Sequence, residues 1–187
     1  MKRCLPLSRG QLRPARADDL DGLVTLLHDS QVRRYLCDDT LLPRETVAEM
    51  LARSEQLDAD GLGLWVIEHG GFAGIAGLEP VSAEAGAAPA MAGGIEPIIA
   101  LAPGHWGQGL AGAALDALVL HARNTLGLSR LVAAVDQPNA RSHRLMQRCG
   151  FTVMGTTPGP AHELVLYELT LADAAAPGDR RADGQRI

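Results

Sequence analysis

The chain has 187 residues, 47% hydrophobic and 21% charged, with a formal net charge of −5. That is enough to bury one good core as a single domain, and the acidic balance offers no basic surface for a nucleic-acid backbone. The scattered Cys4, Cys37 and Cys149 contain no C-x-x-C, the six histidines form no H-E-x-x-H, and no apolar run approaches the roughly 20 residues of a membrane span. No metal site, nucleic-acid partner or membrane partner is therefore expected. The start, Met1 to Leu7, is basic but lacks the apolar segment of a signal peptide, which predicts a cytoplasmic protein.

In chain order, residues 1–10 are expected to be a flexible N-terminus. Gln11 to Arg16 reads as a first strand, and Asp18 as the cap of a helix carrying Leu20, Leu23, Val24 and Leu27 at helical spacing. A short helix is predicted over Gln31 to Leu36. Pro43 suits the first turn of another that runs through Val47, Met50 and Leu51 and ends by Asp58 to Gly61. Two strands, Gly63 to His69 and Gly71 to Leu78, flank a His69-Gly70-Gly71 hairpin signal. Ala83 to Gly94 reads as a loose connection.

Beyond it the order is strand (Gly94 to Leu101), glycine turn, helix (Gln108 to Thr125), strand (Ser129 to Val135), helix (Ala140 to Arg148) and two strands (Phe151 to Thr157, Glu163 to Thr170). The strand–helix–strand unit predicts a right-handed crossover and at least one parallel pair in an otherwise antiparallel sheet. Pro97 has no N–H and fits a bulged or gapped strand. Asp173 to Ile187 is nearly devoid of apolar residues, and 172–187 is expected to be a disordered tail.

The turn Pro103-Gly104-His105-Trp106-Gly107-Gln108-Gly109-Leu110-Ala111-Gly112 carries the most information. A glycine-rich turn that opens a helix exposes N–H groups without intrahelical acceptors, at the positive end of the helix dipole, and so makes a site for a phosphate. It is not a P-loop, because no Lys-Ser or Lys-Thr follows and the chain's only lysine is Lys2. As a dinucleotide fingerprint it lies past mid-chain and has no acidic residue about 20 positions on.

A second segment follows the next strand: Asp136-Gln137-Pro138-Asn139-Ala140-Arg141-Ser142-His143-Arg144-Leu145-Met146-Gln147-Arg148-Cys149-Gly150-Phe151. It resembles the Asn-x-x-Ser-x-x-Leu-x-x-x-x-Gly-Phe segment of the GNAT acetyltransferase superfamily, and the glycine turn resembles that superfamily's cofactor loop. The Trp-Gly-Gln-Gly form resembles the branch that includes ribosomal-protein N-terminal acetyltransferases. The resemblance covers roughly Gln11 to Leu171. It implies a single α/β domain over 11–171, with a mixed, mostly antiparallel twisted sheet, helices on both faces and a splayed cofactor strand.

It also implies acetyl-coenzyme A as cosubstrate and an N-acetyltransferase acting by direct transfer on a small-molecule amine or a peptide N-terminus, with a homodimer as one further expectation. Trp106, Gly107, Gln108, Gly109, Leu110, Ala111 and Gly112 would form the pyrophosphate loop, and the main chain of Ile99 and Leu101 would pair with the pantetheine arm. Asn139 reads both as a helix N-cap and as a pantetheine contact, and Ser142, three residues on, shares its face of the helix. Many relatives place a tyrosine acid where this chain has Met146, which cannot donate a proton, so Ser142 is the candidate acid.

Glu96 is the candidate base, on an apolar strand where burial would raise its carboxyl; the alternative is a glutamate that is exposed or bonded to a neighbouring strand. Relatives that use a glutamate before the last strand differ from Pro158-Gly159-Pro160-Ala161-His162, which carries no acid until Glu163. Tyr35 and Trp65 read as packing or acceptor-pocket residues, His105 and His143 as covers for solvent-facing backbone, and Cys149 as a small core residue. A non-catalytic acyl-coenzyme A sensor is the alternative function, and a longer acyl donor is a further variant.

Overall fold

In a computed structural model, residues 2–81 and 88–171 are described. The tail expected at 172–187 and part of the Ala83 to Gly94 connection lie outside them. Strands β1 (Leu5–Pro6), β2 (Gln11–Pro14), β3 (Gly63–Glu68), β4 (Phe72–Pro80) and β5 (Ile95–Leu101) form one sheet in that order, every pair antiparallel. A second sheet has the order β6 (Arg130–Asp136), β8 (Glu163–Thr170), β7 (Thr152–Pro158), also antiparallel. The helices are α1 (Leu20–His28), α2 (Ser30–Leu36), α3 (Arg44–Gln56), α4 (Leu110–Asn124) and α5 (Ala140–Arg148).

β3 and β4 are almost continuously apolar because both of their faces are covered. Trp65, Ile67, Ala76 and Leu78 pack with Leu115 and Leu118 of α4. Leu64, Val66 and Ile75 pack with Leu23 and Leu27 of α1 and Val47 and Leu51 of α3. Trp65 is wholly buried and donates Nε1–H to the Arg3 carbonyl at 3.0 Å, so of its two readings the packing one holds. No helix among the described residues is long and apolar enough to cross a membrane.

Several expectations change. The parallel pairing of β5 with β6 is not a hydrogen-bonded ladder. The sheet divides there, and the two strands are joined by a side chain, as described below. Pro97 introduces no bulge, since β4 and β5 stay in register from Gly74↔Leu101 to Pro80↔Ile95; the gap lies on the other edge of β5. Asp18 does not cap α1. A short 3-10 turn over Ala17–Asp19 intervenes, and Asp19 is the N-cap; its carboxylate accepts from Arg16 N–H and pairs with both terminal nitrogens of Arg13. Pro43 is the N-cap of α3 rather than its first residue, and α4 begins at Leu110 rather than Gln108.

The packed chain also starts ahead of Gln11. Leu5–Pro6 pairs with β2, and the side chain of Lys2 is 1% exposed. Its ammonium donates to the Leu64 carbonyl at 2.9 Å and Ser54 Oγ at 3.3 Å, lies 3.7 Å from Asp58 Oδ1 and sits over the Trp65 ring. Burial pushes its pKa down, while Asp58 pulls it back up. Lys2→Met keeps the stem and removes these donors, so it is expected to cost about 1–3 kcal/mol of stability, measured by urea unfolding.

Candidate functional site

Between β5 and α4 the chain turns through Gly107 and Gly109, whose φ values of 74° and 80° lie in the left-handed region that favours glycine. A Cβ at either position would meet nothing within 4 Å, so the backbone here borders open space. Gly109 is the N-cap of α4 and supplies no side-chain cap, which leaves the Leu110, Ala111 and Gly112 N–H groups without helical acceptors. Gln108 donates Nε2–H to the Gly104 carbonyl at 2.9 Å and closes the loop on itself. Trp106 donates Nε1–H to the Leu101 carbonyl at 2.8 Å, tying the loop to the end of β5. The result is a small, preformed anion cradle.

α5 stands across the gap. Asn139 is its N-cap, with Oδ1 accepting from Ser142 N–H at 3.2 Å, so its capping role holds. Ser142 is half-buried, and Met146 is buried one turn further on. The Arg141 guanidinium lies 4.2 Å from the centre of the Trp106 ring, a cation–π contact that links the two halves of the gap. Ile99 is half-buried and Leu101 buried on β5.

His143 does more than cover backbone. Its Nε2 is 3.0 Å from the Gln137 carbonyl, which can only accept, so Nε2–H donates there, and its Nδ1 lies at hydrogen-bond distance, 2.8 Å, from the Tyr167 hydroxyl. This bond ties the first turn of α5 to β8. The His105 ring packs edge-on to His69, 6.0 Å between centroids, and its Nδ1 is buried without a partner among the described residues. Cys149 is half-buried against the core beside α4.

At the closed end of the gap, Glu96 Oε1 accepts the Ala134 N–H at 2.8 Å. The carboxylate takes a donor that a ladder partner would otherwise satisfy, so Glu96 is bonded to the neighbouring strand. Burial pushes its carboxyl above the usual range, and the Ala134 N–H opposes that rise. Glu96 faces Glu79 across the β4–β5 ladder. Directly opposite residues share a face, and both line a cleft of about 240 Å³ with Met91, Ala134, Pro158 and Leu164. Burial raises the Glu79 carboxyl too, against the Arg53 guanidinium 3.9 Å away.

Glu79 and Asp136, at the end of β6, were not singled out from the sequence. The signal for each is an acid closing an otherwise apolar strand, and only the register shows which face it occupies. Tyr35 lies 6.3 Å, ring centre to ring centre, from His162 on this same side.

A family model of the acetyltransferase (GNAT) domain matches residues 9–152. Among solved structures, a GnaT-family acetyltransferase of Bordetella pertussis superposes with a TM-score of 0.76 at 25% identity, over 89% of this chain and 99% of that one. The acetyltransferase yncA of Salmonella typhimurium, solved with its cofactor acetyl-CoA, gives 0.71 at 24% identity, over 91% and 99%. A ribosomal-protein-alanine N-acetyltransferase of Brucella melitensis gives 0.68 at 25% identity, over 86% and 99%.

Proposed function

This chain belongs to the GNAT acetyltransferase family, and we propose that it moves an acetyl group from acetyl-coenzyme A directly to a primary amine. The observation that carries the reading is the pairing of an open glycine cradle at one end of the β5–β6 gap with a half-buried carboxylate at the other. The cradle fits the donor, because its uncapped N–H groups and the open space beside Gly107 and Gly109 suit a pyrophosphate.

In this reading Gly107 to Gly112 hold the pyrophosphate, Trp106 anchors the loop, and the free edge of β5 at Ile99 and Leu101 pairs with the amide-bearing arm. Glu96 takes the proton lost by the amine, directly or through a water, and burial, which raises its carboxyl above the usual range, makes it a stronger base. Ser142, on the helix face that Asn139 caps, supplies a proton to the departing sulfur, which Met146 cannot do. Orientation of the two reactants by rigid elements supplies much of the rate.

Asn139 separates capping from binding. Asn139→Ala is expected to cost about 1 kcal/mol of stability in urea unfolding. Asn139→Asp keeps the cap but loses the amide donor, so it should retain stability and weaken acetyl-coenzyme A binding, read by calorimetry.

Thiol release from acetyl-coenzyme A, screened against small amines and N-terminal peptides, tests the function. Acceptor-dependent release is the expected result. Binding of acetyl-coenzyme A with no release against any acceptor would instead identify a sensor.

A further inference from the structure

Helix α5 carries Arg141, Arg144 and Arg148 and no acidic residue, in a chain whose formal net charge is −5. Spacings of three and four residues put the three on one stripe of the helix, where like charges repel. Arg141 also stands in the first turn, at the end of the helix dipole that disfavours a cation. All three residues are exposed. Arg13, Arg33, Arg44, Arg53 and Arg130 each meet a carboxylate, whereas no α5 arginine has one in ion-pair contact among the described residues. The stripe concentrates positive charge at a cost to the helix, with no protein anion to offset it.

Its place in the fold relates it to the cradle. The Arg141 guanidinium lies 4.2 Å from the centre of the Trp106 ring. Arg148 is seven residues, or about 10 Å, further along α5. It reaches the first turn of α4: a Cβ on Gly112 would run into its guanidinium, so the glycine leaves the space that this group occupies. The two ends of the stripe thus touch Trp106 and Gly112, the two ends of the cradle, and Arg144 lies between them on the stripe. From Gly107 to Gly112 the cradle has no charged side chain of its own. Coenzyme A carries a third phosphate besides its pyrophosphate, on the 3′ oxygen of the ribose next to it.

Resting on the reading of the glycine cradle as the pyrophosphate site of acetyl-coenzyme A, we propose that Arg144 and Arg148 bind this 3′-phosphate. They make the protein selective for coenzyme A over donors that lack the group. Guanidinium forks match phosphate oxygens, and the bound dianion relieves the repulsion along α5. Arg141 stays on the Trp106 ring and holds α5 against the loop. The thioester is at the far end of the pantetheine arm, so Arg144 and Arg148 act on donor binding and not on the chemical step.

Calorimetry with coenzyme A and 3′-dephospho-coenzyme A tests the subsite without turnover. The wild type is expected to bind coenzyme A at least about tenfold more tightly, the effect of losing charge-assisted hydrogen bonds. Added salt should narrow that difference, because both arginines are exposed. Arg144→Met and Arg148→Met keep unbranched, helix-forming side chains. Each should weaken coenzyme A by about threefold or more and leave 3′-dephospho-coenzyme A unchanged, with stability in urea retained. Equal binding of the two ligands by the wild type, or variants that weaken both ligands alike, overturns the proposal.

The outcomes separate the stripe from the readings beneath it. Binding of both ligands to the same degree keeps the cradle and sinks the stripe, and binding of neither sinks both. In thiol release from acetyl-coenzyme A, the double variant should raise KM for the donor and leave kcat unchanged. A preference for the 3′-phosphate with no thiol release against any acceptor sinks the enzymatic reading and keeps the subsite.

Discussion

Replacing Glu96 by glutamine is expected to lower turnover by about 10²–10⁴-fold while acetyl-coenzyme A still binds. Glutamine can present its carbonyl oxygen to the Ala134 N–H, so the closure between β5 and β6 survives and only the proton acceptor is lost. In the wild type, activity should rise with pH through the Glu96 carboxyl, displaced above the usual carboxylate range by burial. The variant should lack that limb. Stability moves the other way. A carboxyl with a raised pKa holds its proton to higher pH in the folded state than in the unfolded one. The wild type therefore loses stability as pH climbs through that window. Glu96→Gln removes the penalty, so above that window it should unfold at no lower urea concentration than the wild type. A rate loss accompanied by lost stability would mark Glu96 as a structural strut instead.

Gly109→Val should raise the dissociation constant for acetyl-coenzyme A by about tenfold to a hundredfold, the range expected when one or two hydrogen bonds to a charged group are lost. A β-branched residue at a φ of 80° is strained, and its side chain would occupy open space at the start of α4, where the N–H groups point. Gly127→Val is the control. Gly127 has a φ of 64° and equally open surroundings, but it lies beyond the other end of α4. It should lose comparable stability and keep its affinity for acetyl-coenzyme A.

The glycine turn and the Asn139 segment were legible in the sequence because their work is local. A left-handed residue, a helix start and an N-cap each depend on a few neighbours, and the sequence carries them directly. The helices and strands were legible for the same reason, through their apolar spacing. Three features were not. The bridge between β5 and β6 at the splayed cofactor strand is one carboxylate meeting one N–H 38 positions away. The Asp19 carboxylate makes no capping bond to α1 and is instead held by Arg13 of the neighbouring strand. Asp136 is buried in the fold with one carboxylate oxygen left without a partner among the described residues, and nothing at its own position in the sequence marks it so.

The most direct test of amine acetylation follows coenzyme A thiol and acetylated amine together, by absorbance and mass spectrometry, over one reaction with each member of a panel of small amines and N-terminal peptides. Equal amounts of thiol and N-acetylated amine, both sharply reduced in Glu96→Gln, are the expected result. Thiol formed without any acetylated amine, or in equal yield from wild type and variant, would contradict it.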